Sequence, residues 1–434
     1  MRGLIGLLLL AATPATAQTP PPPPSTPATT AADPAIIARA GELPSLIAGT
    51  TAFDSFFAPS FQAAIPKQKW DTLIVQLTGQ LGKPLALESF TAANALSGTA
   101  RVKFERGVAN IQLAIEPTAP HRVSALLFAG FEIAGDSVQK LATAFRALPG
   151  NSGFGIYALD GNAQRLLAGY NPDRAAPLGS AFKLWVLGEL TREVAGGERK
   201  WAEVVPVGPA SLPSGITQSW PAGSPVTIQT LATLMISISD NTATDTLVAL
   251  ERRKLDAFVA RVGTPDLAPM MTTRQMFAIK SSANADLAEA WAKASPADRR
   301  KLLDANAARL ASTPVDVALF ATGRPIAIDT LEWFATPAQT AGVLDWLRTK
   351  GGDTALALLA INPGADPATR AKFDYVGFKG GSEPGVLTLN YLVRRKDGRW
   401  MAIVGNWSRK DAGVDTGVFA QMMTRALILA AAMP

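Results

Sequence analysis

The chain has 434 residues, 48% hydrophobic and 18% charged, with a formal net charge of +6. That length and apolar fraction suit two or three folded domains, and the lysines and arginines are scattered rather than drawn into a stripe of the kind that binds nucleic acid. There is no cysteine and a single histidine, His121, so no disulfide staples the fold, a catalytic zinc site lacks its ligands, and a Ser-His-Asp arrangement lacks a well-placed base.

Residues 1–17 read as a secretory signal. Arg2 starts it, Leu4 to Ala12 form an apolar core too short to span a membrane, and Ala15-Thr16-Ala17 is a small-x-small cleavage pattern. With no cysteine to carry a lipid, the expectation is a protein of the periplasm or secreted space, with no stable membrane anchor after cleavage. Residues 18–34 are a Pro-rich linker whose unbroken run Pro20 to Pro24 favours extended polyproline II.

Residues 35–134 are expected to form a small α+β domain. Phe53, Phe56, Phe57 and Phe61 recur at helical spacing, and Trp70–Leu81 is amphipathic. Strand-like runs follow at Leu85–Phe90, Ala100–Glu105, Asn110–Glu116 and Arg122–Glu132. No catalytic constellation stands out there, and His121 reads as structural. Residues 136–434 are expected to form the second domain. A helix (Ser137–Leu148) leads into a hairpin, Gly155–Leu159 with Arg165–Tyr170. Residues 186–372 are mainly helical. Strands return at Asp374–Lys379, Gly385–Val393 and Trp400–Asn406, and an apolar helix covers Gly417–Ala432. The predicted class is α+β, with a helical insert inside an antiparallel sheet and helices on one sheet face, preceded by the small α+β domain.

Three short motifs in the second domain carry chemistry. Gly179 to Leu187 reads as the first turns of a buried helix, apolar almost all round except for Ser180 and Lys183. At i and i+3 these two share a face. A lysine amine kept from bulk water is easier to deprotonate and can accept the serine proton. The spacing alone is weak, because Ser137 and Lys140 repeat it on an ordinary amphipathic helix. Ser239-Asp240-Asn241 lies in a break between Thr227–Ile238 and Thr242–Arg252, where side chains reach a cleft. Lys379-Gly380-Gly381-Ser382 ends a strand run, and its glycines let a ligand approach the strand edge.

Taken together and in this order, the motifs resemble the Ser-x-x-Lys, Ser-Asp-Asn and Lys-Thr-Gly set of class A β-lactamases and penicillin-binding proteins. The segments Pro177–Lys183 and Leu234–Asp245 are similar to the family's first and second motifs, and the likeness covers roughly 136–434. The small domain with the run Lys379–Gly385 resembles, more specifically, a two-domain branch in which a cone-shaped, ketosteroid-isomerase-like α+β domain comes first.

The resemblance implies a β-lactamase/transpeptidase-like fold and an acyl-enzyme on Ser180 activated by Lys183. Ser239, helped by Lys379, would pass a proton to the leaving group. Asn241, Gly381 and Ser382 would bind substrate, and the N–H groups of Ser180 and Ser382 would form the oxyanion hole. It implies a small-molecule substrate, a β-lactam or an ester, with no metal and no cofactor. Two departures matter. No glutamate lies between Leu255 and Leu287, where the family has its water-activating residue. In the loop-like stretch Thr264–Lys280, Gln275 cannot take a proton, and Asp266, the only acid there, is wrongly spaced. Gly380 replaces the usual Thr or Ser, and no arginine follows on Val386–Asn390, so a substrate carboxylate loses its partners. The expected activity is therefore β-lactam hydrolysis, with an esterase or peptidoglycan peptidase as one alternative and a penicillin-binding protein without turnover as another. Ala294–Ala335 reads as an inserted cap whose Trp333 and Phe334 fill a core rather than wall the cleft.

Overall fold

The computed structural model describes residues 32–161, 163–314, 316 and 318–434. The expected signal (1–17) and most of the expected linker (18–34) lie outside these residues. Helix α1 (Pro34–Ile47) starts inside the segment read as linker. Asp33 accepts the Ala35 N–H, and Pro34 takes a first-turn position where its missing N–H costs nothing. After α2 (Lys67–Leu81) come four strands, β1 (Pro84–Asn94), β2 (Ser97–Phe104), β3 (Gly107–Ile115) and β4 (Val123–Ile133), in one antiparallel sheet in that order. The helices cover one sheet face and close a core containing Ile36, Leu43, Phe56, Trp70, Val102, Ile111 and Phe131. The phenylalanine run is not one helix as its spacing suggested. It forms two short pieces, Phe53–Phe56 and Pro59–Ala64. Pro59 disfavours a helical Ala58, so Phe57 leaves the helix, bridges Val123 and stacks on Phe61 at 4.0 Å between ring centroids.

The second sheet explains the rest of the chain. Helix α3 (Val138–Ala147) precedes β5 (Asn151–Asp160) and β6 (Ala163–Tyr170). The helical stretch then supplies α4 (Lys183–Ala195), α5 (Ile228–Ser237), α6 (Asn241–Arg261, kinked at Arg252), α7 (Thr273–Lys280), α8 (Pro337–Lys350) and α9 (Gly352–Ala360). Strands β7 (Phe373–Glu383), β8 (Val386–Arg395) and β9 (Trp400–Ser408) complete a five-stranded antiparallel sheet of order β7-β8-β9-β5-β6, and α10 (Thr416–Ala432) ends the chain. The strand period of two decides how the layers stack. On β9, Met401 and Ile403 meet Phe145 of α3 and Phe419 and Met423 of α10. The alternate residues Ala402 and Val404 join the core of Trp185 and Leu344 on the other face. This is the expected class: an antiparallel sheet interrupted by a helical insert, with the two terminal helices on one face, preceded by a small α+β unit. Arg425 of α10 makes a two-pronged ion pair with Asp136, and Lys372 pairs with Glu132 of β4, which ties the two sheets' surroundings together.

The insert departs from expectation at three places. Ser180 lies not in an α-helix but in a 3₁₀ turn, Gly179–Phe182, and α4 begins only at Lys183. Gly179 has φ +49° and sits so close to the neighbouring strand that a Cβ would fall 2.8 Å from the Ser382 nitrogen, so the helix cannot start before it. Thr264–Lys280, read as loop, becomes helical at Thr273, because Thr272 and Gln275 form a reciprocal capping box. The stretch read as a cap holds helices at Pro296–Ala305, Ala307–Ser312 and Ala318–Ala321, then returns to pair Phe334–Ala335 with Ala176–Pro177. Among the described residues no helix is long and apolar enough to cross a membrane.

Trp185 anchors α4. Its side chain is fully buried, and its Nε1 donates to Thr264 Oγ1 at 2.9 Å. Trp185→Ala is expected to lower unfolding stability by about 3–5 kcal/mol through the cavity and the lost hydrogen bond to Thr264, whose hydroxyl keeps its bond to the Val259 carbonyl. Denaturant titration checks it as a fall in midpoint.

Candidate active site

The break between α5 and α6 is made by hydrogen bonding. Asp240 caps α6 through Ala243 N–H and also accepts from Ile216 N–H, Thr217 N–H and Thr217 Oγ1. That fixes Ser239 at φ +58°, a left-handed conformation a serine rarely takes, and presents its hydroxyl to the cleft. Opposite, Asn390 of β8 holds the Lys379 carbonyl at 3.0 Å. Gly381 is pressed against the turn: a Cβ there would lie 2.7 Å from the Ser180 nitrogen and 2.0 Å from the Leu178 oxygen. Only glycine lets β7 run this close, which sets the backbone of Gly381–Ser382 beside the N–H of Ser180.

Two buried lysines converge on Ser239. Lys183 Nζ lies 3.0 Å from Ser239 Oγ, 2.7 Å from the Ser239 carbonyl and 2.8 Å from Asn241 Oδ1. Lys379 Nζ lies 3.1 Å from Ser239 Oγ and 2.6 Å from the Gly380 carbonyl. Ser180 lines the same cleft and is partly exposed, and Lys183 Nζ bonds Ser239 and Asn241 rather than its hydroxyl. Asn241 is almost wholly buried. Its carboxamide serves Lys183 and, through Nδ2, the Leu212 carbonyl at 3.3 Å. Ser180, Ser239, Asn241, Lys379, Gly381 and Ser382 thus line one cleft of about 420 Å³, with Lys183 in its floor.

Burial pushes the Lys183 amine well below the ordinary lysine range, and the neighbouring Lys379 charge adds to this, with Asp245 and Asp240 opposing. Burial pushes Lys379 down to about 7. The linkage gives a testable sign. Below pH 7 Lys379 is charged in both states and its desolvation cost is borne in full. From about pH 7 to about 10.4, the unperturbed lysine value, only the unfolded chain holds the proton, so stability rises with pH. Lys379→Met is therefore expected to raise Tm by a few degrees at pH 6, the gain shrinking toward pH 10. Thermal melts of both proteins across that range check it.

Several groups picked out or set aside on sequence grounds have other duties. Gln275 Oε1 caps α7 by accepting the Thr272 N–H, and Asp266 is exposed. The Ser137 hydroxyl caps α3 by accepting the Lys140 N–H, while Lys140 Nζ donates to the Gly135 carbonyl. His121 sits in the β3–β4 connection with Nδ1 3.0 Å from the Glu116 carbonyl. At Gly380 a Cβ would meet the Phe378 ring at 2.9 Å, so that ring fills the side where a Thr hydroxyl would stand. Trp333 is core, stacked on Phe182 at 3.8 Å, and it also lines the cleft. The acidic trio Glu189, Glu193 and Glu251 has a spacing that would suit a metal ion. It is engaged by Arg192, Arg199 and Lys254 instead. Sequence reading missed a buried set beside the cleft, Glu332, Glu383 and Lys280. Its only sequence signal is Glu383 following directly on Lys379–Ser382.

Residues 136–316 match the model of a family described as the beta-lactamase enzyme family. Among solved structures, a β-lactamase from Sphaerobacter thermophilus DSM 20745 is 20% identical, covering 68% of this chain and 95% of that one at a TM-score of 0.47. A β-lactamase from Chitinophaga pinensis DSM 2588 is 17% identical over 68% and 98% at 0.47, and PBP-A is 16% identical over 67% and 94% at 0.46. No curated protein matches.

Proposed function

We propose that this chain is an exported serine hydrolase of the β-lactamase type, working through an acyl-enzyme on Ser180, with a β-lactam as substrate. The observation that carries the reading is the Ser239 hydroxyl held between two buried lysine amines in the cleft that Ser180 lines. Neutral Lys183 takes the Ser180 proton as Oγ attacks the amide carbonyl. The N–H groups of Ser180 and Ser382 receive the oxyanion, each such donor being worth about 3–4 kcal/mol. Ser239, polarised by Lys379, passes a proton to the leaving nitrogen. With Gln275 committed to a helix cap, Lys183 also serves the deacylating water. Export rests on the leader pattern at 1–17. The unit at 35–134, with a core of its own, is proposed as a spacer or docking domain.

A second reading, ester hydrolysis by the same machinery, is favoured by one observation. The Phe378 ring stands beside Gly380, and Leu387 and Leu389 line the cleft with it. That wall is apolar where a β-lactam carboxylate would need donors.

Intact-mass spectrometry over time, with a chromogenic cephalosporin and then a simple aryl ester, separates the readings. A transient adduct on Ser180 with rapid cephalosporin turnover supports the β-lactamase reading. A long-lived cephalosporin adduct with rapid ester turnover supports the esterase. Stoichiometric acylation by both without turnover would make the protein a binder.

A further inference from the structure

We propose that Glu332 is a positioning residue for the oxyanion hole, acting as a neutral carboxylic acid that clamps the segment before Ser180 to the segment after Ser382. This rests on the reading that the N–H groups of Ser180 and Ser382 form that hole. Glu332 lies directly before Trp333 and its side chain is wholly inaccessible to solvent. Oε2 accepts the N–H of Gly179 at 3.2 Å and that of Trp333 at 2.9 Å. Gly179 is the residue before the nucleophile, and Trp333 is the residue whose carbonyl accepts the Leu178 N–H. One carboxyl oxygen thus fixes the entry to the Ser180 turn.

The other oxygen, Oε1, is buried without a hydrogen-bond partner of its own. The titratable groups that face it are Glu383, at the end of β7, and Lys280, at the end of α7. Lys280 Nζ is already held by Glu383 at 2.6 Å and 2.8 Å and stands 3.9 Å from Glu332 Oε1. One cation therefore serves two buried carboxyl groups. A proton on Glu332 Oε1 resolves both deficits: it removes the second negative charge and supplies a donor for the Glu383 carboxylate. Burial first, and the Glu383 charge second, raise Glu332 well above the usual carboxylate range, Lys280 opposing. Glu383 follows Ser382 in the chain. The neutral acid therefore joins the two backbone segments whose N–H groups must point at one oxygen, where a displacement of about 1 Å costs on the order of 10²-fold in rate.

The test is the acylation rate of the full chain with an aryl ester and with a chromogenic cephalosporin, followed by intact mass from pH 5 to 10 for wild type, Glu332→Gln and Glu332→Ala, each with a thermal melt. Glutamine is neutral, accepts from Gly179 and donates to Glu383. Glu332→Gln is therefore expected to acylate within about threefold of wild type and Glu332→Ala about 10²-fold more slowly. Wild type is expected to lose acylation at high pH, as Glu332 ionises, through a limb that Glu332→Gln lacks. The proposal is overturned if Glu332→Gln falls as far as Glu332→Ala, which would make the ionised carboxylate the working form, or if a folded Glu332→Ala acylates at the wild-type rate. If Glu332→Ala does not fold, the wild-type and Glu332→Gln pH profiles still decide, and identical profiles refute it. A wild type that forms no adduct with either reagent overturns the acyl-enzyme reading itself.

Discussion

Ser180→Ala is expected to abolish covalent labelling by β-lactams and aryl esters and to lower turnover by at least about 10⁴-fold. The structure leaves no second nucleophile of equal standing in the cleft. Ser239 is held by two lysines and, in the proposed mechanism, passes the proton. Ser137, the other serine with a lysine three residues on, is spent as a helix cap far along the chain. Because Ser180 is partly exposed in a 3₁₀ turn, removing its hydroxyl leaves no buried group unpaired. The variant is expected to keep its Tm and to bind ligand without reacting. Intact mass of wild type and variant after the same exposure decides the matter, and an adduct of equal yield on the variant would move the chemistry elsewhere.

The second large effect is expected at Lys183. Lys183→Ala is expected to slow acylation by about 10³–10⁴-fold, the upper range for loss of a positioned general base. Lys183→Arg is expected not to rescue it, because a guanidinium stays charged and cannot take a proton. The stability effect is smaller and of mixed sign. The variant sheds the cost of burying an amine, which shifts its titration far from the ordinary lysine range. It also orphans Asn241 Oδ1 and leaves the Ser239 carbonyl with the Ser214 hydroxyl as its remaining donor. Stopped-flow acylation with a chromogenic cephalosporin, beside a melt showing the fold intact, checks the prediction. An unchanged acylation rate would leave Lys183 a purely structural cation.

What could be read from the sequence, and what could not, divides by the range of the interactions. Most of the strands and helices were legible because their signals are local. The alternation of β9 between two cores is printed in Met401, Ala402, Ile403 and Val404. The apolar circumference of Leu184 to Leu187 is equally local. The three motifs were legible as residue types with chemical affinities for one another, and their order along the chain raised a family resemblance.

Tertiary structure alone decided three other things. It decided that Ser180 sits in a 3₁₀ turn, because the constraint on Gly179 is the backbone of Ser382, some two hundred positions on. It decided that both lysines reach the Ser239 hydroxyl, which needs a left-handed serine locked by Asp240 and a strand locked by Asn390. And it gathered Glu332, Glu383 and Lys280 from three separate stretches of the chain. No local pattern marks such a set, because buried charge is tolerated only where distant partners share it, and those partners become neighbours only once the sheet has closed.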